Sequence, residues 1–222
     1  MTEARFVPYL DRYVPAAPAE QAARQTCEIL ARRRTVRAFS DRPVSRETIE
    51  WLVRAAGSAP SGANKQPWRF VCVQDPELKR QIRAAAEEEE RQFYRSRAGA
   101  GWLEDLAALG TDENKPYLEQ APWLIAVFKL TQGDDGSAVY YPSESVGIAV
   151  GLLLVTAHLS GLATVTHTPS PMGFLAQVLG RPSHERAFVL IPVGYPADDC
   201  QVPEAALHKK PLDEIMVVDR PA

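Results

Sequence analysis

Cysteine is scarce in this chain. Three occur among 222 residues, Cys27, Cys72 and Cys200, with no CxxC pair, and the four histidines (His158, His167, His184, His208) are scattered. That spacing excludes a Cys/His zinc module and a disulfide scaffold, so no metal is expected. There is no GxGxxG and no GxxxxGK[ST], which removes the usual dinucleotide and P-loop fingerprints. Basic excess is missing too: 25 Lys+Arg stand against 28 Asp+Glu, a net charge of −3, which argues against a nucleic-acid partner. No long hydrophobic run occurs. The longest, residues 146–157, falls short of the ~20 residues needed to cross a bilayer, and the reading is a core helix. Residues 1–18 carry Glu3, Arg5, Asp11 and Arg12 where a signal peptide needs an apolar stretch. The expectation is a cytoplasmic protein with no membrane partner.

What is present suits one packed domain over residues 1–222, with 45% apolar and 24% charged residues. Residues 1–18 hold three prolines and read as an extended N-terminal arm; 196–222 hold four and read as a C-terminal arm. Between them, helical patterns cover about 19–33, 45–57, 76–96, 102–109, 140–159 and 172–179. Ser45 is a good N-cap. Strand-like runs cover 68–74, 122–130, 162–166 and 187–193, and the first is expected to be buried. The helix at 140–159 is apolar nearly all round and is expected to be central. Interleaved helices and strands give an α+β or α/β domain around one sheet. Extended arms need something to lie on, and a second copy of the chain would supply it, so a homodimer is expected.

Four stretches carry residues suited to chemistry. Arg32–Arg37 (RRRTVR) puts four arginines and a hydroxyl in six residues, and arginine forks match phosphate oxygens. A solvated basic surface explains the stretch equally simply. Pro60, Ser61, Gly62 and Ala63 lie among small residues between two prolines, where backbone amides can approach a ligand, although an ordinary turn has the same composition. Thr164–Pro169 (TVTHTP) is rich in hydroxyls at a strand end, or is simply a threonine-rich strand. Glu87–Glu90 are four consecutive carboxylates, a pattern that usually marks a solvated helix face. Glu90 and Tyr94 nevertheless share a face at i, i+4, and Lys115 follows 21 residues later in a polar stretch. A carboxylate, a phenol and an ammonium together suit an amino-acid zwitterion.

RRTVRAFS (33–40), APSGANKQPWRF (59–70), EEEERQFY (87–94), KPYL (115–118), YYPSESVGIAVGLLL (140–154), GLATVTHTP (161–169), LGRPSHE (179–185), PVGYP (192–196) and KKPLDEIM (209–216) together resemble the nitroreductase superfamily of flavin enzymes. Within it they resemble the iodotyrosine deiodinase branch, through Glu90, Tyr94 and Lys115 above all. The likeness runs over residues 28–218.

The resemblance implies an α+β nitroreductase-like fold: a central, mostly antiparallel sheet flanked by helices, with terminal arms exchanged in a homodimer. It implies a non-covalent FMN. Arg33, Arg34, Thr35 and Arg37 would hold the phosphate and the ribityl or ring edge. Pro60, Ser61 and Gly62 would line the flavin from the partner chain. Thr166, His167 and Thr168 would run beside the ring, with Thr168 near N5 as the catalytic residue. Lys209 would meet the phosphate where the family usually has arginine, and His167 stands where the branch often has threonine. Glu90, Tyr94 and Lys115 would grip a halotyrosine zwitterion, the Ala63 amide would receive its phenolate, and residues 91–116 would form a lid. The implied activity is reductive dehalogenation, 3-iodotyrosine to tyrosine plus iodide, with NAD(P)H or a reductase as electron donor. The alternatives are a general NAD(P)H-dependent nitro or quinone reductase on the same fold, which has no need of the zwitterion trio, and a binding module that senses FMN or an aromatic amino acid without turnover.

Overall fold

A computed structural model describes residues 4–219. Two compact units divide the chain, residues 1–33 and 34–222. In the first, an extended arm runs into helix α1 (Ala19–Leu30). No α1 residue is buried, and Phe6, Tyr9, Leu10 and Tyr13 of the arm stand in water. The helix ends three residues earlier than its composition predicts, and the 31–34 stretch continues as turns and extended backbone.

The second unit is built on a four-stranded sheet, β1 (Trp68–Val73), β2 (Trp123–Leu130), β3 (Ala163–Thr164) and β4 (Glu185–Gly194), in the order β1-β2-β4-β3. All three pairings are antiparallel. Around it stand α2 (Arg46–Gly57), α3 (Pro76–Gln92), α4 (Ala100–Ala108), the one-turn α5 (Tyr117–Gln120), α6 (Pro142–Leu159), α7 (Gly173–Val178) and the one-turn α8 (Leu212–Ile215). This is the α+β, mostly antiparallel architecture the sequence led us to expect.

Two cores lie on opposite faces of the sheet. Side chains alternate along a strand, so Trp123, Ile125 and Val127 of β2 meet α2 and α6 through Leu52, Val146, Ala149 and Leu153. Leu124, Ala126 and Phe128 face the other way, toward Ile82 and Ala86 of α3, Leu118 of α5 and Leu175 of α7. Burial on both faces explains why β2 reads as an unbroken apolar run. Ser45 caps α2 as expected, its hydroxyl accepting from Thr48 N at 3.1 Å, a contact worth about 1 kcal/mol.

Two expectations need correction. β1 is an edge strand, so Cys72 is exposed. Helix α6 is not enclosed: Val146, Ala149, Val150, Leu153 and Ala157 are buried, while Gly147, Ile148, Gly151 and Leu159 are exposed. The sheet and α2 cover one side of α6, and among the described residues nothing covers the other. Of the extended segments, 196–219 carries helical turns at Glu204–Leu207 and α8, with Leu212, Ile215 and Val217 exposed.

Candidate active site

Helix α3 supplies the acidic wall of the cavity that gathers most of the candidate residues. Asp75 caps it, accepting from Leu78 N at 2.8 Å, and Pro76 sits at its first position. At its far end the four glutamates separate by direction. Glu88 faces solvent and pairs with Arg91, and Glu89 pairs with Arg97. Glu87 and Glu90 turn inward. Glu87 Oε1 accepts from Lys115 N at 2.8 Å, and Glu90 Oε2 lies 3.5 Å from Lys115 Nζ. Of the four, expected to share a solvated face, only Glu88 is exposed; Glu89 and Glu90 line the cavity, and Glu87 holds the Lys115 backbone.

Beyond Gln92 the helix loosens into a π-type turn, residues 93–97, in which Ala98 N donates to Phe93 O five residues back. Such wide turns shift the register of side chains and recur at functional sites. Here the turn brings both Phe93 and Tyr94 to the cavity. Tyr94 donates its hydroxyl to Thr111 O at 3.1 Å, and the Lys115 ammonium lies 5.7 Å from its ring centre. Trp102 of α4 meets Phe93 edge-on, ring centres 4.8 Å apart.

The cavity measures about 270 Å³. Glu90, Tyr94, Lys115, Thr166, His167, Thr168 and Arg37 all contribute to its wall, so three of the four candidate stretches meet there. Thr35 and Arg37 also line an adjoining cleft with Gly110 and residues 201–205. A parallel bridge from Thr35 to Thr164 fixes the arginine segment beside the threonine-rich strand.

Burial sets the electrostatics. The Glu90 carboxyl is pushed above its ordinary range by desolvation, against the pull of Lys115. Desolvation lowers the Lys115 ammonium, with Glu90 opposing it. Lys115 also donates to Thr111 Oγ1 at 3.2 Å and to Asp112 O. Burial together with the charges of Lys115 and Arg37 drives His167 down to about 3, so the imidazole is neutral at pH 7. Its Nδ1 lies 3.3 Å from the Tyr117 hydroxyl, and its Nε2 is buried with no partner.

A sequence profile of the Nitroreductase family matches residues 30–195. Over 217 residues the chain is 48% identical to the iodotyrosine deiodinase of Haliscomenobacter hydrossis, covering 96% of this chain and 97% of that one. It is 43% identical to the human iodotyrosine deiodinase 1, over 95% of this chain and 74% of the relative. The fold matches a crystal structure of oxidized iodotyrosine deiodinase bound to FMN and 3-iodo-L-tyrosine, with a TM-score of 0.74 and 34% identity over 89% of this chain and all of that one. The chain belongs to the nitroreductase family.

Within that family it groups with the iodotyrosine deiodinases, one of which holds FMN in its crystal structure. The donor set fits such a group. Thr35, Arg37, Thr166 and Thr168 present hydroxyls and a guanidinium to the cavity and the adjoining cleft, which suits an anionic ligand whose planar ring has a polar edge. Thr166 and Thr168 are exposed where the residue between them, His167, is buried, as strand alternation requires. Arg34 is half-buried beside Thr35; Arg33 closes the first unit, its amide donating to Leu30 O at 3.0 Å.

Other predicted site residues stand outside the cavity wall. Pro60, Ser61, Gly62 and Ala63 form the loop after α2, and Lys209 is exposed near α8. The loop is strained: Ala63, Asn64 and Gln66 all have positive φ, at 48°, 53° and 48°. Ser61 Oγ holds it by accepting from Gln66 N at 2.9 Å. Gly62 is required sterically, since a Cβ there would lie 2.7 Å from Tyr140 O. Backbone strain of this kind is typical of functional loops.

Sequence reasoning missed Glu87, Thr111 and Tyr117. Glu87 stands one helical turn before Glu90, and Tyr117 two residues after Lys115 in KPYL. Those spacings were visible, but their directions are not.

A second polar cluster is structural. Glu185, buried on β4, accepts from Arg181 at 2.7 and 2.8 Å and from Arg69 Nε at 3.2 Å, while Asp134 takes Arg69 Nη2 and His184. Asp134, His184 and Glu185 come close enough to suggest a cation site, but two guanidiniums already neutralise the carboxylates.

Proposed function

We propose that the chain, acting as one FMN-binding domain in a homodimer, reductively removes halogen from halotyrosines, with 3-iodotyrosine as the reference substrate. The observation that carries this reading is the buried Glu90–Lys115 pair beside Tyr94, in one cavity with Thr166 and Thr168. A nitroaromatic or quinone has no use for a buried pair of opposite charges. An amino-acid zwitterion can enter it by exchange: the carboxylate of Glu90 takes the ammonium, and Lys115 takes the carboxylate.

Bound FMN, reduced by NAD(P)H or a reductase, supplies two electrons; with one proton they replace the carbon–halogen bond by carbon–hydrogen and release halide. The chain's own residues bind and orient. Arg33, Arg34, Thr35, Arg37 and Lys209 hold the phosphate and the ribityl side. Thr166, His167 and Thr168 would run beside the ring, with the Thr168 hydroxyl as the catalytic group. From the second copy, Pro60, Ser61 and Gly62 line the ring and the Ala63 amide receives the phenolate. The hydrogen bonding of that loop supports the role: the amides of Asn64, Lys65 and Gln66 are bonded within it, to Ser61 O, Gly62 O and Ser61 Oγ, and the Ala63 amide makes no such bond among the described residues. Residues 91–116 close as a lid that excludes water. The bare side of α6 and the exposed apolar residues of both arms support a dimer with exchanged arms. A cytoplasmic location is part of the same reading.

The test is a titration of the flavin fluorescence of the oxidised holoprotein. Binding of 3-iodotyrosine should quench emission at concentrations where tyrosine and 4-nitrophenol do not, and dithionite should then release iodide. Emission indifferent to iodotyrosine would refute the assignment in favour of general nitro or quinone reduction.

A further inference from the structure

His167 is 5% exposed, and its backbone is pinned to β4: His167 N donates to Leu190 O at 2.8 Å and Leu190 N donates back at 2.9 Å. The bridge fixes the backbone, and burial leaves the ring little room to move. Two groups face its Nδ1. The Tyr117 hydroxyl lies 3.3 Å away, and Glu90 Oε1 lies 3.9 Å away, on the oxygen not turned to Lys115. Lys115 and Arg37 are the cations nearby. Both favour a neutral ring, which carries one N–H, and the question is where.

The two tautomers leave different groups unsatisfied. With hydrogen on Nε2, the phenol donates to Nδ1, and only Nε2–H lacks a partner. With hydrogen on Nδ1, that N–H turns toward Glu90 or the phenol oxygen. The phenol's own hydrogen and the Nε2 lone pair are then both stranded, since the bond to His167 is the only one the Tyr117 hydroxyl makes among the described residues. Each stranded polar group costs about 1–3 kcal/mol. The Nε2–H form strands fewer.

We infer that Tyr117 is a positioning residue: its hydroxyl holds His167 in the Nε2–H form, so that Nδ1 cannot donate to Glu90 and the Glu90 carboxylate stays available to the cation it binds. The role of Glu90 rests on the function proposed above; the tautomer does not. Tyr117 thus competes with Glu90 for one nitrogen. Without the phenol, the ring gains by moving its hydrogen to Nδ1 and donating to Glu90 Oε1, which ties the carboxylate to the sheet.

Long-range nitrogen–proton NMR of the 15N-histidine holoprotein tests this, with His167→Leu identifying the signal among the four histidines. We expect Nε2–H in the wild type and Nδ1–H in Tyr117→Phe. Protonated Nδ1 in the wild type, or an unchanged tautomer in Tyr117→Phe, would overturn the inference, and neither result needs a ligand. The second readout is a double-mutant cycle on 3-iodotyrosine affinity. Tyr117→Phe should weaken binding about tenfold in the wild type and less than about twofold in the His167→Leu background. Equal losses in both backgrounds would show that Tyr117 does not act through His167. A wild type that ignores iodotyrosine would tell against the assigned function, and the nitrogen spectra judge the tautomer by themselves.

Discussion

Lys115 Nζ lies 3.5 Å from Glu90 Oε2, and the two side chains are only 3% and 12% exposed. Each partner loses hydration in this arrangement, and each keeps its charge because the other is there. The pair is a stability element and, under the function proposed above, a recognition element, and the two roles separate experimentally.

Lys115→Ala leaves the Glu90 carboxylate buried with no cation. We expect a loss of about 3 kcal/mol in urea unfolding and at least about a tenfold loss of halotyrosine affinity. Glu90→Gln should weaken the same ligand while keeping more of the stability, since an amide needs no counter-charge. Nitroaromatic turnover, measured alongside, should change far less in Glu90→Gln. Equal losses on both substrates would refute the zwitterion role.

His167 gives stability a pH dependence of known sign. Its folded value, about 3, lies below the ordinary 6.5. Between these values the unfolded chain binds a proton that the folded chain refuses. Stability is thus full above pH 6.5 and falls as pH drops through the window, by up to roughly 5 kcal/mol. Urea melts of wild type and His167→Leu at pH 7 and pH 5 isolate the effect, because most carboxylates have not yet titrated. The wild type should lose stability over this step, and the variant should lose less.

Glu185→Gln should destabilise by about 3 kcal/mol without touching the ligand. The carboxylate is buried and receives two arginines, whose charges hold it below its ordinary range. Thermal melts should shift, whereas quenching of flavin by iodotyrosine should not.

Trp102→Ala removes the edge contact to Phe93 but little buried core, since the indole is 56% exposed. Global stability should change by less than about 1 kcal/mol. Proteolysis of the 91–116 segment should accelerate, and iodotyrosine affinity should fall several-fold. An unchanged cleavage rate would show that the indole does not hold this segment.

Much of this arrangement was legible in the chain. Alternation and apolar runs placed all four strands, and Ser45 and Asp75-Pro76 marked helix starts by their capping chemistry. The i, i+4 spacing put Glu90 and Tyr94 on one face. Direction was not legible. Nothing in EEEE says that Glu87 and Glu90 turn inward, because that depends on where the sheet lies relative to α3. The all-apolar pattern of α6 could not distinguish a helix enclosed by its own chain from one covered on a single side. The π-type turn after Gln92 has no sequence signature either.

The hydrogen bond from Tyr94 to Thr111 O ties together residues 17 positions apart. Closing a loop of that length costs about 2.5 kcal/mol beyond a constant, whereas one neutral hydrogen bond returns about 1. The tie therefore holds only together with the other contacts that close the segment, Phe93 to Trp102 and Glu90 to Lys115. Under the function proposed above, a guest that touches Tyr94 and Lys115 adds to these contacts, so the residues that recognise it would also help to shut the door.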